Sequence, residues 1–179
     1  MDVGGYEVEL MAKAGADVVT ILGLADDGTL SEGVMVARKY GAEIMLDLIN
    51  VPDKVKRAKE AEKIGVSYIC LHMGIDEQMK GEEPPIEILK KIVAETNLPV
   101  AVAGGITADN AGEYVEAGAS IVIVGGGIIK TQNIVESARS VKNAMTGKEV
   151  TIALAKKYSE DESTKEKDGN LGYVNYGDL

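Results

Sequence analysis

Tryptophan and phenylalanine are absent from the 179 residues, and cysteine and histidine occur once each. With aromatics at only 4%, the core has to be built from Val, Ile, Leu, Ala and Met. The lone Cys70 excludes an intrachain disulfide and a cysteine-cluster metal site. It points to a reducing, cytoplasmic setting. Positive charge is also scarce: 19 Lys and Arg face 29 Asp and Glu, for a net charge of −10. A chain this acidic is a poor partner for nucleic acid, which is held mainly through its phosphates. No apolar run approaches the ~18 residues needed to span a bilayer, so no membrane partner is expected. The opening MDVGGYEVEL lacks the basic-then-apolar order of a signal peptide.

What the chain does have is a repeat. Short apolar runs rich in β-branched residues fall at 18–22, 43–48, 68–71, 99–103 and 121–124. Runs of this kind, apolar on both faces, suit buried parallel strands. Four of the five follow a turn built on a glycine: Gly15, Gly41, Gly65 and Gly118. Between them, amphipathic patterns predict helices over 7–14, 31–40, 53–64, 86–95, 109–117 and 133–145. The spacing of about one strand plus one helix gives alternating βα units and a parallel sheet covered by helices. A dinucleotide-binding open sheet would carry its glycine fingerprint in the first strand-to-helix loop. Here the glycines gather after the last two strands, where barrels place a phosphate site. The expected fold is therefore α/β, a (β/α)₈ TIM-barrel type of which about five βα units are present. A full barrel needs ~250 residues and rarely fewer than ~200.

The candidate site residues sit at strand ends. Gly104-Gly105 follow the fourth strand and Gly125-Gly126-Gly127 the fifth. Their backbone could approach a phosphate closely, with Thr107 or Asp109 capping a following helix. The plainer alternative is that they only permit tight turns. His72, in CLHMGID, ends the third strand and has the side chain suited to proton transfer near neutral pH. Asp47, in MLDLIN, is an acid inside an apolar strand, either catalytic or neutralised in a salt bridge. Asp26 and Asp27 serve a helix cap as readily as chemistry, and the lysines at 54, 56, 59, 90 and 91 read as solvated helix faces.

Four segments together resemble a known family. They are MDVGGYEVELMAKAGADVVTILGLADDGTL, MLDLINVPDKVKRAKEAEKIGVSYICLHMGIDEQMKG, VAVAGGIT and IVIVGGGI. They are similar to the 3-hexulose-6-phosphate synthases of the orotidine 5′-monophosphate decarboxylase superfamily of barrels, over about residues 1–147. The resemblance implies an aldehyde-lyase that condenses formaldehyde with D-ribulose 5-phosphate through an enediolate, with Mg²⁺, as a homodimer. It implies that Asp47 and His72 manage protons and that Gly104, Gly105, Gly125 and Gly126 grip the phosphate. Asp2 would match the last residue of the family's Asp-x-Lys-x-x-Asp motif, which reaches the neighbouring subunit's site. The first Asp and the Lys of that motif have no counterpart, so little or no aldolase activity is expected of the chain as given. A 3-keto-L-gulonate-6-phosphate decarboxylase or an inactive phosphate-binding module are the alternatives.

Residues 148–179 differ in character. TIALAKKYSEDESTKEKDGNLGYVNYGDL is rich in charge and resembles a stretch of a parvulin-type peptidyl-prolyl isomerase, or else is a polar extension.

Overall fold

Residues 3–79 and 84–146 are described by the computed structural model. They form five parallel strands interleaved with helices. In order these are α1 (Val3–Lys13), β1 (Val18–Leu22), α2 (Asp27–Tyr40), β2 (Glu43–Asp47), α3 (Lys54–Ile64) and β3 (Tyr68–His72). Then come α4 (Ile75–Gln78), α5 (Ile86–Glu95), β4 (Val100–Ala103), α6 (Ala111–Glu116), β5 (Ile121–Ile123), α7 (Gly126–Ile129) and α8 (Ile134–Met145). The 148–179 segment and its parvulin-like stretch lie outside the described residues.

Local signals set the boundaries. Asp26 accepts a hydrogen bond from the Thr29 N–H at 3.0 Å and opens α2. Asp53 does the same for α3 through the Lys56 N–H, also at 3.0 Å. These oxygens satisfy N–H groups that the first turn leaves without an intrahelical partner. The Thr29 backbone N–H, and then its hydroxyl, hold the Asp26 carboxyl below the usual carboxylate range. At the other end, Gly41 and Gly65 close α2 and α3 in the left-handed region, at φ 76° and 102°. Gly15 and Gly118 also have positive φ, as their place in the repeat requires.

One expectation fails locally. Neither Thr107 nor Asp109 caps α6. Its N-cap position is Asn110, which makes no side-chain cap bond. The Asn110 amide is spent on the preceding loop instead, accepting from the Thr107 N–H at 2.9 Å and donating to the Gly105 carbonyl at 3.3 Å.

The strands lie in the order β1-β2-β3-β4-β5, each hydrogen-bonded to its sequence neighbour. That order never reverses. A doubly wound sheet reverses at its centre, whereas a barrel winds one way. Strand alternation then sorts the side chains. Ile44, Leu46, Ile69, Leu71, Val100 and Val102 belong to the large buried cluster shared with the helices. Met45, Cys70, Ala101 and Ala103 form a second, smaller cluster. Side chains on alternate positions point to opposite faces, so this second set is the concave, inner face. The expectation of strands apolar and buried on both faces holds for β2, β3 and β4 and not for the outer strands β1 and β5, where Ile123 is 43% exposed. On β1, Val18 is 38% and Leu22 56% exposed, because they point to the inner face at the outermost strand.

Candidate active site

The inner face opens, at the C-terminal strand ends, into a cavity of about 650 Å³. Asp47, His72, Gly104, Gly105, Gly125 and Gly126 all line it. These residues come from four different strands and span nearly 80 positions of sequence. Only the parallel register brings them together. Asp47 pairs with Cys70, and His72 pairs with Ala103.

Asp47 and His72 touch. His72 Nδ1 is 2.8 Å from Asp47 Oδ2. A carboxylate only accepts, so Nδ1 carries the hydrogen in this bond. A neutral ring then keeps its Nε2 lone pair for a ligand. The second Asp47 oxygen accepts the Ile49 N–H at 2.9 Å, which fixes the carboxylate plane. The Asp47 side chain is 13% exposed and that of His72 31%, so the acid is sheltered while the imidazole meets the cavity. The acid in the strand is thus explained by a partner, and that partner is the one histidine. Below them, burial and then the Asp47 charge push the Cys70 thiol up to about 12. Cys70 lines the floor as an inert group.

The backbone behind Asp47 is also braced. The Gly23 N–H donates to the Asp47 carbonyl at 2.7 Å. Arg57 on α3 in turn donates to the Gly23 and Ala25 carbonyls, each at 2.8 Å. It pairs with Asp27 at 2.5 Å. Asp26 and Asp27 therefore serve the cap and this brace, and neither lines the cavity.

Beside this pair, the lining continues onto the two glycine turns. Gly104 and Gly105 have φ of 96° and 68°. Gly125 leads into the single turn of α7, whose first N–H groups have no intrahelical partner. A Cβ on Gly127 would stand 2.3 Å from the Ile106 carbonyl, so the two loops are in backbone contact. Lys130 closes this part of the lining. Its stem and ammonium lie 3.5–3.8 Å from where a Cβ on Gly126 would be. Among the described residues, Lys130 is the one lysine or arginine on the cavity lining. Gln78, on α4, also lines it.

Lys130 and Gln78 do not stand out in the sequence. A lysine after an apolar turn reads as solvated surface, and a glutamine carries no signal until its hydrogen-bond partner is known. Asp2 lies outside the described residues. The cavity lining holds a single carboxylate, Asp47, and among the described residues no three His, Cys, Asp or Glu side chains stand together as metal ligands. Magnesium takes about six oxygens, several from water or substrate. The described residues alone do not fit a magnesium site.

A one-way wound parallel sheet, with an acid–imidazole pair and two glycine turns at the strand C-termini, defines a barrel-type α/β protein with a cavity at that end. The sequence profile of the orotidine 5′-phosphate decarboxylase / HUMPS family matches residues 1–141, and the chain belongs to that family. It is 42% identical, over 149 residues, to 3-hexulose-6-phosphate synthase 1 of Staphylococcus saprophyticus, covering 83% of this chain and 70% of the relative. It is 41% identical over 142 residues to the 3-hexulose-6-phosphate synthase of Bacillus subtilis, covering 79% of this chain and 68% of the relative. Among solved structures, the 3-hexulose-6-phosphate synthase of Salmonella typhimurium superposes with a TM-score of 0.77 at 32% identity, over 82% of this chain and 70% of that one. The KGPDC of Streptococcus mutans shares the fold, with a TM-score of 0.74 at 23% identity, over 82% of this chain and 69% of that one.

Proposed function

We propose that the chain carries the chemistry of a 3-hexulose-6-phosphate synthase, the condensation of formaldehyde with D-ribulose 5-phosphate. The observation that carries this reading is the His72–Asp47 pair and two glycine turns lining one cavity. The identities of 41–43% to enzymes of that name support it.

In this reading the sugar phosphate lies across the cavity. Its phosphate rests on the turns of Gly104-Gly105 and Gly125-Gly126, with Lys130 supplying positive charge. The reacting carbons then face His72. The imidazole, at Nε2, takes a proton from C1 of ribulose 5-phosphate, and the electron pair moves into the C1–C2 enediol system. That pair next forms the bond from C1 to the formaldehyde carbon while the formaldehyde C=O π pair moves to oxygen. The proton on the imidazolium passes to that new alkoxide, so the ring ends neutral. Asp47 holds Nδ1–H throughout, keeping the ring oriented and stabilising its charged form.

Magnesium is part of the proposal only as an ion whose oxygen donors would have to come largely from elsewhere than the described residues, and no step runs through it. A homodimer, a cytoplasmic location and a role for Asp2 across the dimer belong to the same proposal.

The test is ribulose 5-phosphate itself. Saturable binding is the expected result, with formaldehyde-dependent consumption that is slow at most, because the motif's first Asp and its Lys have no counterpart, and that is lost in His72→Ala while binding remains. Binding without consumption would favour an inactive phosphate-binding module. Turnover of 3-keto-L-gulonate 6-phosphate instead would make the chain a decarboxylase. No binding of either sugar phosphate overturns the reading.

A further inference from the structure

The ladder between β3 and β4 stops one rung short of where the chain would let it go. Its last pair is His72–Ala103. The Met73 N–H still donates to the Ala103 carbonyl at 3.0 Å. By the alternation of a parallel ladder, the next rung would run from the N–H of residue 105 to the Met73 carbonyl. That rung is not part of the register. The side-chain amide of Gln78 takes its place, with Nε2 donating to the Met73 oxygen at 2.8 Å.

Met73 is 7% exposed, so its carbonyl needs a donor from the protein. The three groups interlock. A Cβ on Gly104, which has φ +96°, would stand 2.3 Å from the Met73 oxygen and 2.9 Å from Gln78 Nε2. The carbonyl is therefore held between an amide on one side and a turn that tolerates only glycine on the other.

We propose that Gln78 is a positioning residue: by satisfying the Met73 carbonyl it keeps the Gly105 N–H out of the β3–β4 ladder and free to meet an anion in the cavity. The same bond anchors the residue next to His72, and so steadies the imidazole. Without the amide, the buried carbonyl recruits the Gly105 N–H. The strand pair then zips up by one rung, and the anion cradle loses a donor. This deepens the reading of the cavity as a phosphate site and rests on it.

The experiment uses the full chain, ¹⁵N-labelled, with inorganic phosphate as the probe. Gln78→Met keeps the length and removes the donor, and Gln78→Glu keeps the shape with a carboxylate that only accepts near neutral pH. Both should slow hydrogen exchange at the Gly105 amide about tenfold or more, and weaken phosphate binding by about tenfold, with the thermal midpoint held. Because the chain has one histidine, its ring signal is unambiguous, and it should shift in both variants. Unchanged Gly105 exchange in a folded variant overturns the proposal. So does failure of both variants to fold, which would make Gln78 a residue of stability alone. If phosphate leaves Gly105 unmoved in the unsubstituted chain, the phosphate-site reading falls, while the exchange rates still decide the positioning role. Absence of turnover with ribulose 5-phosphate bears on the reaction and not on Gln78.

Discussion

His72 and Asp47 are 25 positions apart and each stands out in the sequence, one as the single histidine and the other as an acid in an apolar run. Their contact does not. It depends on the register that pairs β2 with β3, which no local pattern reveals. The gain from knowing it is a specific expectation. Asp47→Asn should leave the fold in place, because the amide can still meet the Ile49 N–H, yet should impair proton transfer by letting the ring flip its tautomer. With a proton-transfer group worth about 10²–10⁴ in rate, kcat for a turning-over sugar phosphate should fall within that range for His72→Ala and by less for Asp47→Asn. Lys130 belongs to the same scale. Lys130→Gln should raise KM for the sugar phosphate about three- to tenfold, with a smaller effect at high salt, and should leave kcat nearly unchanged. Cys70 gives a control. A thiol pushed up to about 12 by burial is not a thiolate at pH 8, so a thiol reagent should modify it only when the protein unfolds.

At the scale of elements, the glycine stops and apolar runs mark the strands to within one or two residues. The α5 range 86–95 matches without adjustment. The short helices α4 and α7 are illegible, since one turn of four residues is too short for a 3.6-residue period to register. They matter out of proportion to their length, because α4 carries Gln78 and α7 leads directly into Lys130. The N-cap of α6 escapes the sequence for a related reason. Thr107 and Asp109 have capping side chains, but the loop ahead of α6 needs the Asn110 amide, and that choice is made by tertiary contacts. The helices also give a pH expectation. Glu9 on α1 accepts from Lys13 and, at 2.8 Å, from the Tyr40 hydroxyl at the end of α2. The Lys13 bond first, and then that of Tyr40, hold the Glu9 carboxyl below its ordinary value. A depressed carboxylate stabilises the fold above its unfolded pKa, and the contribution fades as pH falls through the lower folded value. Urea midpoints of the chain and of Glu9→Gln should therefore differ at pH 7 and converge in acid. In the core, Leu71 is fully buried, and Leu71→Ala should cost about 2–5 kcal/mol in denaturant unfolding.

For the molecule as a whole, the scarcity of aromatics is informative. Small and aliphatic side chains fill both clusters, and the concave face is floored by Cys70, Ala101 and Ala103. Among the described residues Tyr114 is the one fully buried aromatic, and its hydroxyl reaches the Pro84 carbonyl at 3.0 Å. Apolar side chains also stand exposed at both flanks of the described sheet: Leu22 and Leu24 beside β1, and Ile129, Ile134 and Val135 beyond β5. Exposed apolar surface beside an unpaired strand edge favours association. Light scattering of the full chain should show a species larger than a monomer, and a stable monomer at micromolar concentration would count against the homodimer.

The unbroken strand order also bears on how the fold is reached. Among the described residues, every strand pairs only with the strands just before and after it in the chain. The loops between these paired strands are therefore all short. During synthesis β1 can hold β2 as soon as α2 has emerged, β2 can then hold β3, and each new unit docks on a finished neighbour. The parts of the site assemble at different times. The Asp47–His72 pair is in place by the third strand, whereas the glycine turns wait for the fourth and fifth. A nascent chain would thus expose the edges of β3 and β4 in turn until the next unit docks, and its yield would depend on how quickly that unit follows.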